Sequence, residues 1–432
     1  MRVEVTREAL AVAHSIATRA VASASRAIPQ VLTDIRYTAA GGELTLSAMD
    51  GTTSITTRIP ATVEEEGSTA VLPSPLGEVL GALTCATVRL RLGDKRHSLV
   101  VEGARSTSTL RGQDPVDYPP IPTLPKAIAG TAPASVFAAA ARQCVIAAAT
   151  HDTAPILNGV SLRVDGDIMT LAAADRFRLA VRTGRLTPGG APIPLRTIVP
   201  AVALAEFVKT APPGDGHAVS FGLTDDGKTI VLRAGPTEYS TRVIEGDYID
   251  YAPLIPESCA SRATLATDDL RKALRTVALF ARASGNLMSL TTIPGEGDTL
   301  GSLVLGAEAT EAGASSTPVD AVVEGASVTL YCNADYLIGF LNVVRAKLIS
   351  LELESATRPA TLRPIDESDL TYLVMPMSRP TDRATLPATH DGQDGRDGRD
   401  DGDGDDAPVA ATRAPASIGH GIKKARSTKK PA

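Results

Sequence analysis

Tryptophan is absent from this 432-residue chain, and six Phe and eight Tyr leave aromatics at 3%. The cores therefore have to be built from Ala, Val, Leu and Ile, and 43% hydrophobic residues suffice for several of them. At about 150 residues per domain, the length suggests roughly three domains. Cysteine is scarce too: Cys85, Cys144, Cys259 and Cys332 lie far apart with no CxxC, which excludes a zinc knuckle or a disulfide framework and fits a reducing cytoplasm. No run of about 18 apolar residues exists, and Met1-Arg2-Val3-Glu4 reads straight into a strand, so neither a membrane span nor a secretion signal is expected. The phosphate-loop, GxGxxG, HExxH and GxSxG patterns are all missing. His14, His97, His151, His217, His390 and His420 show no ligand spacing, so no catalytic residue, metal or cofactor is expected. A net charge of −6 speaks against nucleic acid unless the basic residues are gathered on one face.

What the chain does have is a repeat. Ile156 to Ala180 reads ILNGVSLRVDGDIMTLAAADRFRLA, with Val160, Leu162 and Val164 alternating before the break at Asp165-Gly166-Asp167. Ile168, Met169 and Leu171 resume the pattern, giving strand, tight turn, strand. Val31 to Asp50 repeats it without a gap at a shift of 125 residues: Leu32 falls on Leu157, Ile35 on Val160, Gly41 on Gly166, Leu46 on Leu171 and Asp50 on Asp175. Such a register over about twenty residues marks an internal repeat rather than two chance hairpins.

Taken in order, Val3–Val5 reads as a strand and Thr6 as the cap of a helix whose apolar face is Leu10, Ala13, Ala17, Ala20 and Val21. A second helix carries Leu76, Val79, Leu80 and Leu83, strands follow at 88–92 and 98–101, and Asp117-Tyr118-Pro119 closes the first repeat. The second has helices at about 135–148 and through Leu204, Phe207 and Val208, with Asp247-Tyr248 at its close. The third has helices through Leu270, Leu274 and Val277 and through Leu337, Phe340 and Leu341, and ends at Met375-Pro376-Met377. The class is α+β with antiparallel sheets. Expected boundaries are 1–125, 126–256 and 257–379, followed by a 380–432 tail. That tail runs from an Asp-rich block (390–406, net −6) to a basic block (413–430, net +6) and is expected to be disordered. Asp401, Asp403 and Asp405 suggest a calcium loop, but Asp406 stands where Gly is required and Thr412 where Glu is.

Three tandem copies, ILNG, ADRFRLA, the Asp-Tyr closings and the final YLVMPM together resemble the bacterial DNA polymerase III beta subunit, the replicative sliding clamp, over roughly residues 1–379. The resemblance implies three tandem clamp (processivity-fold) domains in a head-to-tail dimeric ring, with sheets outside and helices inside. It implies a non-catalytic subunit through which duplex DNA passes, with DNA polymerase III and other clamp-binding-motif proteins docking on one face and an ATP-dependent clamp loader opening the ring. Sliding calls for diffuse positive charge facing phosphates, not for base readout. The alternative is a diverged clamp-fold paralogue that acts as an interaction scaffold without encircling DNA.

Carried over position by position, the partner pocket is Leu157, Phe177, Leu179, Leu254, Leu373, Val374, Met375, Pro376 and Met377, its Met and Leu suited to several peptides. The DNA-facing residues are Arg19 and Arg26, spaced with Ser23 as i, i+4, i+7; Arg271, Arg275 and Arg282, a stripe beside the apolar sector of their helix; and Arg142, Lys209, Arg345 and Lys347. Leu279 and Phe280 fall at the dimer interface, with Arg105 and Thr107 opposite, on an edge strand where the family tends to be apolar. Other departures are Ala174 for the usual Thr, Ile249 for Pro, and Ala201-Val202 for a basic pair.

Overall fold

Local sequence sets the helix starts. Helix α1 (Arg7–Thr18) follows the strand Arg2–Thr6, and Thr6 Oγ1 accepts the Ala9 N–H at 3.4 Å. Helix α2 (Pro73–Ala82) opens on proline, whose missing N–H costs nothing in a first turn. Helices α3 (Ala134–Val145), α4 (Ala201–Thr210), α5 (Thr267–Ala281) and α6 (Ala334–Val343) follow, the last capped by Asn333 on the Asp335 N–H at 2.8 Å. On α5 the buried face is Leu270, Leu274, Val277 and Ala281, the sector the sequence points to. Each larger side chain there contributes about 1.5–3 kcal/mol by leaving water. Helix α1 stops earlier than its apolar pattern: Ala20 and Val21 lie past its end, Arg19 caps it, and Ser23 is beyond the last turn. The i, i+4, i+7 stripe therefore does not form on that helix.

The protein is described by a computed structural model covering residues 1–378 except 24–28, 94–96, 151–153, 188–192, 211–215, 297–298 and 366–368. These residues belong to one compact unit, Met1–Pro380. Arg26 and the tail lie outside the described residues.

Three repeats share one plan. In each, a triple of antiparallel strands is flanked by a fourth strand on its first member: 35–40, 43–49 and 53–60 beside 67–71; 159–165, 168–174 and 178–185 beside 195–200; 287–293, 301–309 and 313–325 beside 329–333. A second ladder holds the opening strand and three late strands: 2–6, 87–92, 99–103 and 106–110; 130–133, 218–223, 229–234 and 237–242; 261–266, 348–353, 360–364 and 370–374. The 125-residue shift carries 43–49 onto 168–174 and 53–60 onto 178–185. Gly41 and Gly166 turn at φ 58° and 57°, a left-handed conformation that favours glycine. Asp50 Oδ1 accepts from Thr52 N and Thr53 N at 2.8 Å, and Asp175 Oδ1 accepts from Phe177 N and Arg178 N at 3.0 Å.

The repeats are joined by shared sheets. The third strand of the first triple, Thr53–Pro60, pairs with the last strand of the second repeat, Thr237–Arg242. The third strand of the second triple, Arg178–Arg185, pairs in the same way with the last strand of the third, Leu370–Val374. At the first joint Glu238, 3% exposed, accepts from Arg58 Nη1 at 3.1 Å, from Arg233 Nη2 at 2.8 Å and from the Leu124 N–H at 3.3 Å. One apolar core runs through all three repeats.

Candidate functional site

The second joint frames a cleft of about 350 Å³. Ladder alternation decides which side chains reach it. Leu179 and Leu373 are register partners on one face and cluster with Ala174, Tyr251 and Ile255. Of the sequence-derived set, Leu157, Leu179, Leu254, Leu373 and Met375 line the cleft. Val374, one position on, points to the opposite face and is fully buried in the main core. Phe177 is 56% exposed and stacks on Tyr336 of α6 at 6.5 Å, outside the lining. Pro376 and Met377 also lie outside it, and the Met377 N–H donates to the Tyr331 carbonyl at 2.8 Å. Ala154, Ile156, Ala174, Arg176, Arg178 and Ile249 complete the wall. Arg176 and Arg178 belong to the ADRFRLA motif, but only their position beside Leu373 marks them as lining.

The turn that presents this wall is tied on several sides. Arg178 Nε donates to Asp175 Oδ2 at 2.8 Å, and its guanidinium lies 4.6 Å from the Tyr336 ring centre. The Tyr248 hydroxyl accepts the Ala174 N–H at 2.9 Å, and burial pushes its pKa up to about 12. Tyr118 does the corresponding work in the first repeat, reaching the backbone at Ser47. The Asp-Tyr closings thus clamp the second strand of the triple in the first two repeats.

The basic residues divide by partner. Arg19 Nη1 donates to Glu206 at 3.1 Å, joining α1 to α4, and Lys209 pairs with the same carboxylate. Arg271 is half-buried, pairs with Asp268 and donates to the Leu341 carbonyl at 2.9 Å. Arg275 and Arg282 are exposed and form no ion pair among the described residues, and Lys347 is exposed as well. Arg142, on α3, has its pKa lowered by burial first and then by the positive field of Arg345, which follows α6. Two cations from neighbouring repeats thus stand close enough to repel.

At the two ends of the array, the strand Ser106–Leu110 lies at a sheet edge with Arg105 and Thr107 exposed. The long strand Gly313–Gly325 pairs with 261–266 only through 321–325, which leaves one side of 313–320 open. Leu279 is 64% exposed; Phe280 is partly buried against the core.

Among the described residues no cluster of His, Cys, Asp and Glu is placed to hold a metal, and no helix is long and apolar enough to cross a membrane. Three tandem repeats with shared sheets, one apolar cleft at a joint and cations on helix faces define a binding platform of the processivity-fold class. Sequence models of the DNA polymerase III beta subunit match it in order: the N-terminal domain over residues 1–122, the central domain over 131–250 and the C-terminal domain over 252–378. The chain belongs to the DNA polymerase III beta subunit family, the bacterial beta sliding clamps. The beta sliding clamp of Streptomyces coelicolor is 30% identical over 390 residues, spanning 87% of this chain and 99% of that protein. The sliding clamp of Bacillus subtilis aligns with a TM-score of 0.80 at 23% identity, over 88% of this chain and 99% of that one. That of Pseudomonas aeruginosa bound to griselimycin aligns at 0.78 and 21%, over 88% and 100%.

Proposed function

We propose that two copies of this chain close head to tail around duplex DNA and tether DNA polymerase III and other motif-bearing proteins through the cleft at the second joint. The observation that carries this reading is the reuse of one edge. The third strand of a triple meets the last strand of the next repeat at both internal joints. Applied once more, the rule sets the open side of 313–320 against the 106–110 edge of a second copy, with Leu279 and Phe280 beside the seam. Two chains of three repeats then make a ring of six. Arg275, Arg282, Lys347, Arg142 and Arg345 supply diffuse charge toward phosphates, which allows sliding because no base is read. The chain contributes no chemistry; polymerisation and ATP hydrolysis belong to the polymerase and the loader. Such a role places it in the cytoplasm, at the nucleoid when loaded.

The test is topological. Protein loaded by its ATP-dependent loader should stay on nicked circular DNA through gel filtration and fall off when the circle is cut once. Light scattering at micromolar concentration should give twice the chain mass. A monomer at every concentration, or equal retention on cut and uncut DNA, would show a scaffold that does not encircle DNA.

A further inference from the structure

We propose that Arg176 is a specificity residue of the partner cleft, selecting peptides that carry a carboxylate next to their apolar anchor. The proposal rests on the cleft being the partner pocket and goes beyond that reading by naming the partner's charge. Arg176 sits at φ 77°, a left-handed conformation that non-glycine residues rarely adopt because the Cβ is strained there. The first repeat supplies an internal control. The same turn there is Asp50-Gly51-Thr52-Thr53, with the same two amide bonds to the aspartate, and the position shifted by 125 residues is Gly51 at φ 94°. Backbone geometry alone therefore calls for glycine, and the second repeat keeps an arginine against that preference. The side chain must be what is retained.

Its surroundings say for what. The cleft wall is apolar except for Arg176 and Arg178. Arg178 is committed, bonded to Asp175 and stacked over Tyr336. Arg176 is exposed and has no hydrogen bond or ion pair among the described residues, so it is the available cation at an apolar cleft. A leucine- or phenylalanine-like anchor among Leu179, Leu373 and Met375 would bring a neighbouring carboxylate within reach of that guanidinium, whose fork matches carboxylate geometry.

The probes are acetylated, amidated tetrapeptides, Leu-Asp-Leu-Phe and Leu-Asn-Leu-Phe, titrated calorimetrically into the full chain. The wild type should bind the Asp peptide about fivefold more tightly at low salt, and the preference should shrink as salt screens it. Arg176→Gly, which the first repeat shows the turn accepts, should bind both peptides equally, near the wild-type affinity for Asn. Arg176→Lys should keep most of the preference. Equal binding of the two peptides by wild type would overturn the proposal and leave the pocket standing. So would an Arg176→Gly variant that weakens both peptides by the same factor, since that marks a structural role. Binding of neither peptide by wild type would remove the pocket reading and this proposal together.

Discussion

Replacing Glu238 by alanine should loosen the joint between the first and second repeats. Its carboxylate gathers Arg58 from the strand 53–60, Arg233 from the strand 229–234 and the Leu124 amide from the linker. A hydrogen bond to a charged group is worth about 1.5–3 kcal/mol, and stripping one partner from a fully buried pair costs about 3–5 kcal/mol. Neither figure applies in full. The side chains of Arg58 and Arg233 are 35% and 44% exposed, so both regain water when the carboxylate is gone. A loss of about 2–3 kcal/mol results, which in a unit of this size lowers the melting temperature by about 3–4 °C. Scanning calorimetry of the full chain measures it, and Glu238→Gln, which keeps an acceptor but not the charge, should fall between wild type and alanine. A double variant with Arg58→Met should melt close to Glu238→Ala, because the Arg58 contribution runs through Glu238. An unmoved transition in Glu238→Ala would refute the reasoning, because the joint would then be held by the strand ladder alone.

Leu179→Asp should abolish peptide binding in the calorimetric titration while leaving the mass in solution the same as the wild type's, since it places an unpaired charge among Ala174, Leu373 and Ile255. Pro318→Thr should tighten self-association by a few fold in sedimentation equilibrium. Ala326 donates to Ala260, so even-numbered amides of that strand face the open side, where Pro318 has none to give; one added hydrogen bond is worth about 0.5–1.5 kcal/mol. His14 should make stability fall in mild acid. Its Nε2 lies 3.0 Å from the Pro73 carbonyl and its Nδ1 2.7 Å from the Tyr37 hydroxyl, so the neutral ring donates to one and accepts from the other; burial lowers its pKa. The unfolded chain therefore takes up the proton first: the contribution is full above 6.5, falls as pH drops below it by up to about 1.4 kcal/mol per pH unit, and levels off below the folded pKa. Urea midpoints at pH 7.5 and 5.5 should converge in His14→Phe relative to wild type, and an equal drop in both proteins would rule the histidine out.

The sequence showed the elements whose signals are local. The 125-residue shift predicts paired turns, and Gly41 and Gly166 adopt the same φ within a degree. Thr6 and Pro73 announce the helices they open. The strand Gly313–Gly325 was not legible, because its half-buried inward positions include Ser315 and Thr317 while Gly313 and Pro318 read as turn. Its alternation is real but is written in small polar residues, which carry little hydrophobic contrast. Glu238 was hidden for another reason. A glutamate in a Thr-rich strand reads as solvent-facing, and it becomes buried only when a strand 180 positions away pairs beside it. The division of the pocket set has the same origin, since Leu373 and Val374 are adjacent and equally apolar, and only the ladder to Arg178–Leu179 decides which faces the cleft.

Agreement and disagreement between the repeats therefore carry different information. Where the first two repeats agree, as at Gly41 and Gly166 or Asp50 and Asp175, the backbone explains the residue and says nothing about partners. Where they part although the backbone asks for the same residue, as at Gly51 and Arg176, the reason has to lie outside the fold, in what the side chain touches. The joints obey the same logic. One strand edge is used three times along the chain; it is filled at two joints by the next repeat, and in the third repeat it is left open along 313–320. Edges left to solvent are commonly blunted by a short, charged or twisted strand or by proline. Here the edge runs on as one long strand from which Pro318 removes a single donor, and under the proposed ring a second copy's 106–110 strand would pair along it. In that reading the missing donor weakens the seam by about one hydrogen bond, which suits a ring that a loader must open.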